Sequence, residues 1–185
     1  MIHTHITPAT ERGNWIITYT GKRFFPLDPR PDEICIEDIA HALSNVCRFG
    51  GHVRTFYSVA QHCVLAARYV DGDLALKRWA LLHDASEAYL GDMVKPLKNT
   101  MHAFEEVERN VMEVIARKFG LEPFEPLEVI EIDRRLCVTE ARDLIGANVW
   151  WNPWLKIQPF PSSIVACTPQ EAERAFLQCM KDFGA

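Results

Sequence analysis

Long apolar runs are missing from this sequence; the longest, such as Trp79-Ala-Leu-Leu82, fall far short of the about 20 residues that a membrane-spanning helix needs. The first residues, Met1-Ile-His-Thr-His5, show no basic-then-apolar signal pattern, so the expected compartment is the cytoplasm. No C-x-x-C pair occurs. The six cysteines, Cys35, Cys47, Cys63, Cys137, Cys167 and Cys179, stand singly, several among apolar neighbours at helical spacing. That distribution favours buried free thiols over a disulfide framework or a zinc ribbon. Positive charge is in deficit, with a formal net charge of −5. Nucleic acid is therefore not an expected partner, although a local basic pocket could hold an anionic small molecule. The chain has neither an internal repeat nor a flexible linker, and residues 1–185 are long enough for one full core, so a single domain is expected.

What is present reads as helix. Residues Trp15 to Leu27 hold two β-rich runs around Thr20-Gly21-Lys22, the pattern of a short hairpin. Beyond the turn Asp28-Pro-Arg-Pro-Asp32, the residues Ile36, Ile39, Ala40, Leu43 and Val46 form one apolar stripe that stops near Gly50-Gly51. Further helices are expected from about Tyr57 to Val70, from Leu74 to Tyr89, through Phe104 to Phe119, and from Leu127 to Ile145. Thr168-Pro-Gln-Glu171 has the residue order of a capping box, followed by the stripe Ala172, Phe176, Cys179, Met180 and Phe183 of a last helix. Between Trp150 and Pro161 three prolines forbid a regular helix, and three tryptophans require packing against something. The fold class is therefore all-α, a helical bundle with a small N-terminal β-hairpin.

The densest chemistry lies in Leu81-Leu-His-Asp-Ala-Ser-Glu-Ala-Tyr-Leu-Gly-Asp92. On a continuous helix His83, Asp84 and Glu87 would share one face, three to four residues apart. Two readings fit: a solvated polar face, or a buried group whose carboxylates are compensated by a divalent metal, since burying them bare costs several kcal/mol. His62 sits among Val59-Ala-Gln-His-Cys-Val-Leu, where a lone histidine is ordinarily a satisfied core residue. Asp133 falls on the apolar stripe of Val129, Ile130, Leu136, Cys137 and Leu144, an uncommon place for a carboxylate without a partner. Glu140, two turns on, is a candidate to support the site or to pair with an arginine.

His62, then His83-Asp84, then Asp133, on the helices of an all-helical chain, resembles the H…HD…D pattern of the HD-domain superfamily of metal-dependent phosphohydrolases. The stretch from His83 to Lys98 resembles that of bacterial 5′-deoxynucleotidases, as does Arg48-Phe49 with Val53-Arg-Thr55 and Ser58-Val-Ala-Gln-His62; phage dATP triphosphohydrolases share the arrangement. The similarity covers about residues 36–145. It implies an HD-domain helical bundle and one divalent metal (Mn²⁺, Co²⁺, Ni²⁺, Zn²⁺, Fe²⁺ or Mg²⁺) held by His62, His83, Asp84 and Asp133. Glu87 resembles the family's catalytic glutamate, and Asp92 is a second catalytic carboxylate. Arg48, Lys95 and Lys98 are candidates for the phosphate clamp. Phe49, where the deoxynucleotidases have tryptophan, is a candidate for stacking on base or sugar.

The expected activity is hydrolysis of a deoxynucleotide, either a dNTP with dATP foremost or a 5′-dNMP, by attack of metal-activated water on phosphorus. Only His102 lies between Asp84 and Asp133, whereas two-metal branches use further histidines there, which favours a single ion. Family members commonly assemble, so a homo-oligomer is expected. The alternative is a nucleotide-sensing or partner-binding module without turnover.

Overall fold

The computed structural model describes residues 12–146 and 156–184. The expected hairpin is formed by β1 (Ile16–Ile17) and β2 (Arg23–Phe24), antiparallel with Ile16 opposite Phe24 and Ile17 opposite Arg23. Gly21 turns the chain at φ 83°, a conformation open to a residue without Cβ. Two strands of this length cannot stand alone in water. They are pinned to α1 (Ile36–Asn45), where buried Asp38 accepts hydrogen bonds from the Thr20 backbone N–H at 2.7 Å and the Thr20 hydroxyl at 2.9 Å. Tyr19 stacks on His41, and Phe24, fully buried, stacks on Tyr89.

Helix α2 (Val59–Tyr69) is the centre of the bundle and packs against α1, α3 (Leu74–Leu82), α7 (Leu127–Glu140) and α8 (Pro169–Asp182). Capping residues set the helix starts. Ser58 accepts from Gln61 N–H, Asp73 from Leu76 N–H, and Thr168 forms the expected capping box with Glu171. The long helix α6 (His102–Phe119) ends where Gly120 adopts the left-handed conformation at φ 64°.

Two expected helices are interrupted. The one read from Leu74 to Tyr89 stops at Leu82 and resumes as the short α4 (Glu87–Leu90). Between them the bonding tightens to i→i+3, with Ala85 N–H to Leu82 O and Glu87 N–H to Asp84 O, while His83 Nδ1 lies 2.8 Å from the Ala80 carbonyl. The basic segment Lys95–Lys98 is a single turn, α5. The helix read from Leu127 to Ile145 is regular only to Glu140 and widens into a π-turn over Ala141–Ile145. Its closing residue Gly146 has φ 72°, a backbone conformation that favours glycine, and the Arg54 guanidinium packs where a Cβ would sit.

The first part of the tryptophan-rich segment falls outside the described residues, as do Met1 to Glu11. From Lys156 onward the chain is strapped across α2 and α7. Phe160 is buried, stacks on Tyr69 at 4.1 Å and lies under the Arg135 guanidinium. Its N–H donates to Thr139 Oγ1, and its carbonyl accepts from Arg142. Among the described residues no helix is long and apolar enough to cross a membrane, and all six cysteines are free thiols.

Phe176, fully buried on α8, should be costly to truncate. Phe176→Ala is expected to lose about 3–5 kcal/mol of stability, read as a lower denaturant midpoint with a retained helical circular-dichroism spectrum.

Candidate metal centre

The site forms where three elements meet. His62 lies on the buried face of α2 with no exposed surface, His83 and Asp84 stand in the tight turns between α3 and α4, and Asp133 projects from α7. Their donor atoms converge. His62 Nε2 is 3.2 Å from both His83 Nε2 and Asp133 Oδ1 and 3.8 Å from Asp84 Oδ2, while His83 Nε2 is 3.3 Å from Asp84 Oδ2.

The opposite edge of each imidazole is held by an acceptor. His62 Nδ1 lies 2.6 Å from Glu140 Oε1, and His83 Nδ1 lies 2.8 Å from the Ala80 carbonyl. Donation through Nδ1–H turns both Nε2 atoms toward the centre, the edge that metal-ligating histidines present once Nε2 is free of its proton. The two Nε2 atoms face each other at 3.2 Å, a separation that calls for a proton or a metal ion between them. Chemistry and placement therefore fit a divalent ion: His62, His83 and Asp133 form one donor group, and Cys63, His83 and Asp84 an overlapping one.

Glu140 supports the whole arrangement. It is fully buried, and its carboxylate accepts from Tyr57 OH at 2.9 Å and His62 through Oε1, and from Arg48 Nε at 3.1 Å and Nη2 at 3.0 Å through Oε2. The local backbone explains the delivery of Arg48 and Tyr57. Val59 N–H donates to Val46 O and Arg48 N–H to Tyr57 O, laying the chain before α2 against the chain after α1. Arg48 then opens a single 3₁₀ turn to Gly51 in which Phe49 adopts φ 56°, an unfavourable angle for a residue of its size. The third Arg48 nitrogen, Nη1, reaches Asp84 Oδ2 at 3.5 Å.

This network moves the titrating groups apart. Burial would lift the Glu140 carboxyl, but Arg48 and then His62 outweigh it and hold Glu140 down at about 2. Burial and Arg48 both oppose a proton on His62, yet Glu140 and Asp133 prevail and raise it to about 9. Asp133, despite burial, is held below the usual carboxylate range by its hydrogen bond with His62. Glu87 goes the other way: burial first, then the charges of Asp84 and Asp92, push its carboxyl well above the ordinary value. Glu87 is only 6% exposed, and its Oε2 has no hydrogen-bond partner. Asp92 is also raised, by burial and by Asp84.

The remaining site residues take different positions. Arg48 sits inside the centre, with all three guanidinium nitrogens directed at Glu140 and Asp84, and its guanidinium lies 5.5 Å from the Phe49 ring centroid. Lys98 pairs with Glu108 at 2.7 Å and feels the charges of Glu87 and Asp84. Lys95 is exposed on α5 and acts on Glu125. Three participants were not anticipated. Tyr57, expected to open the second helix, lies ahead of its start at Val59, and nothing in its spacing marks it for a polar role. Glu125, ahead of α7, has a carboxyl raised by burial and by Asp84 and Asp133. Cys63 follows His62 directly, and adjacent helical residues do not ordinarily share a face.

Fold and site together define a mostly helical protein with a buried histidine and aspartate cluster able to hold a metal ion. By sequence the chain belongs to the family of the uncharacterized protein YfdR of Escherichia coli (strain K12), to which it is 43% identical over 174 residues, 92% of this chain and 96% of that protein. An uncharacterized protein of Rhodobacter capsulatus is 36% identical over 136 residues, 69% of each chain. No protein-family model matches the sequence.

Glu140→Gln should weaken divalent-ion affinity about 10–100-fold, because the acceptor that orients His62 is lost; titration calorimetry reads the change, and unaltered affinity would remove Glu140 from this role. A ligating imidazole must be neutral, whereas His62 in the ion-free protein keeps its proton up to about pH 9. Ion uptake should therefore release a proton, and apparent affinity should climb as pH rises from neutrality toward about 9 and level off above it; calorimetry in buffers of different ionisation enthalpy measures both.

Proposed function

We propose that this chain is a metal-dependent phosphohydrolase of the HD type whose substrate is a deoxynucleotide, either a 5′-monophosphate or a triphosphate with dATP foremost. The observation that carries this reading is the convergence of His62, His83, Asp84 and Asp133 beside the buried, unpartnered oxygen of Glu87. Single polar residues on a solvated helix face would not have their Nδ1 edges held by Glu140 and Ala80. The likeness of residues 36–145 to the deoxynucleotidases supports the substrate class.

A divalent ion bound by His62, His83, Asp84 and Asp133 would supply Lewis acidity toward a phosphoryl oxygen and toward the attacking water. Glu87 orients that water and accepts its proton as the new oxygen–phosphorus bond forms and the bond to the leaving group breaks. Burial, Asp84 and Asp92 raise its proton affinity, and a cation bound at Asp84 would offset part of that charge and leave Glu87 free to take the proton. Asp92 adds negative charge beside it and so keeps that affinity high. Arg48 offsets part of the carboxylate charge at Asp84 and Glu140. Lys95 and Lys98 are the cations for the outer phosphate oxygens, and Phe49 offers a ring to the sugar or base. The working state is a cytoplasmic homo-oligomer.

Purified protein supplied with Mn²⁺ should release phosphate from dAMP or triphosphate from dATP, and the product identifies the bond cleaved. No release from any member of a deoxynucleotide panel would overturn the reading; retained nucleotide binding in that case would mark a sensing module. Glu87→Gln should lower kcat by about 10²–10⁴-fold while metal content by elemental analysis stays unchanged, and full activity in this variant would remove Glu87 from proton transfer.

A further inference from the structure

Cys63 has no exposed surface, and its sulfur does not point into the apolar interior alone. It faces the turn between α3 and α4, against the Asp84 backbone amide. Its Sγ, a His83 ring nitrogen and an Asp84 carboxylate oxygen lie within 4.8 Å of one another. The other donor group, His62, His83 and Asp133, is composed of nitrogen and oxygen alone. His83 is common to both and presents only Nε2, because Nδ1 is engaged by the Ala80 carbonyl.

We propose that Cys63, His83 and Asp84 form a second, sulfur-containing position for a thiophilic divalent cation such as Zn²⁺ or Cd²⁺, which excludes an ion at His62, His83 and Asp133 because one imidazole lone pair serves one ion. Thiolate selects soft or borderline ions, whereas Mn²⁺ and Mg²⁺ favour the nitrogen and oxygen set. Ligand bonds of about 2.0–2.3 Å require only a small contraction of the three donors. On binding, the sulfur–metal bond replaces the S–H bond and the proton leaves to solvent, with no change of oxidation state. The two overlapping positions make the centre sensitive to which ion is abundant: a thiophilic ion draws His83 and Asp84 toward Cys63 and away from the nitrogen and oxygen set. Cys137, one turn beyond Asp133 on α7, belongs to neither donor group.

This inference does not require hydrolysis, and its test does not use it. The full-length protein loaded with Co²⁺ should show an intense near-ultraviolet sulfur-to-cobalt charge-transfer band. That band should vanish in Cys63→Ser and persist in Cys137→Ser. Absence of the band in the unaltered protein, or its survival in Cys63→Ser, overturns the proposal. If Cys63→Ser fails to fold, cadmium NMR of the unaltered protein decides: a resonance shifted downfield by sulfur supports it, and one typical of nitrogen and oxygen donors alone sinks it. A cobalt band together with no nucleotide hydrolysis in Mn²⁺ would leave this site standing and remove the phosphohydrolase reading; hydrolysis in Mn²⁺ without the cobalt band would do the reverse.

Discussion

The buried carboxylate of Glu140 is the interaction on which the site depends. It sits at the junction of α7 and the π-turn and receives hydrogen bonds from three directions: Arg48 on the 3₁₀ turn, Tyr57 ahead of α2, and His62 within it. Burying such a charge is expensive, and only dense, well-aimed donors offset the cost. Once they do, the position of each donor is no longer free. The imidazole of His62 has one orientation, and Arg48 has its second carboxylate, Asp84, within reach.

Both departures from regular helix fall at the site. The i→i+3 turns after Leu82 carry His83 and Asp84, and the widened turn after Glu140 begins at the residue that holds His62. A straight helix from Leu74 to Tyr89 would keep His83 and Asp84 in regular helical register. The tightened turns end α3 and start α4 afresh, with Glu87 buried on α4 and His83 and Asp84 facing His62 of α2. Local irregularity of this kind is frequent where chemistry is positioned.

The rest of the bundle keeps that arrangement from relaxing. The hairpin is fastened to α1 through Asp38, and the strap from Lys156 to Cys167 is fastened to α2, α7 and the π-turn through Gln61, Thr139, Arg142 and Asp143. These bonds use side chains to satisfy backbone groups that have no strand or helix of their own, so neither segment could be removed without leaving polar atoms uncovered.

Apolar periodicity was enough to read the hairpin, the helix order and the capping box at Thr168 from the chain, because each is decided by residues within a few positions of one another. His62 and Asp133 can be read onto apolar stripes for the same reason, whereas spacing leaves the face of His83 and Asp84 open between solvent and interior. The break at His83, the widening after Glu140, the role of Tyr57, the ion-paired state of Arg48 and the nearness of Cys63 to His83 were not legible. Each depends on a partner many residues away and on which of several competing acceptors is desolvated in the packed bundle. Local spacing alone establishes a helical chain with an N-terminal hairpin and places His62 and Asp133 on apolar stripes. That these two meet His83 and Asp84 at one point, with Glu140 and Ala80 turning the imidazoles so that their Nε2 atoms face each other across it, follows from contacts between residues far apart in the chain.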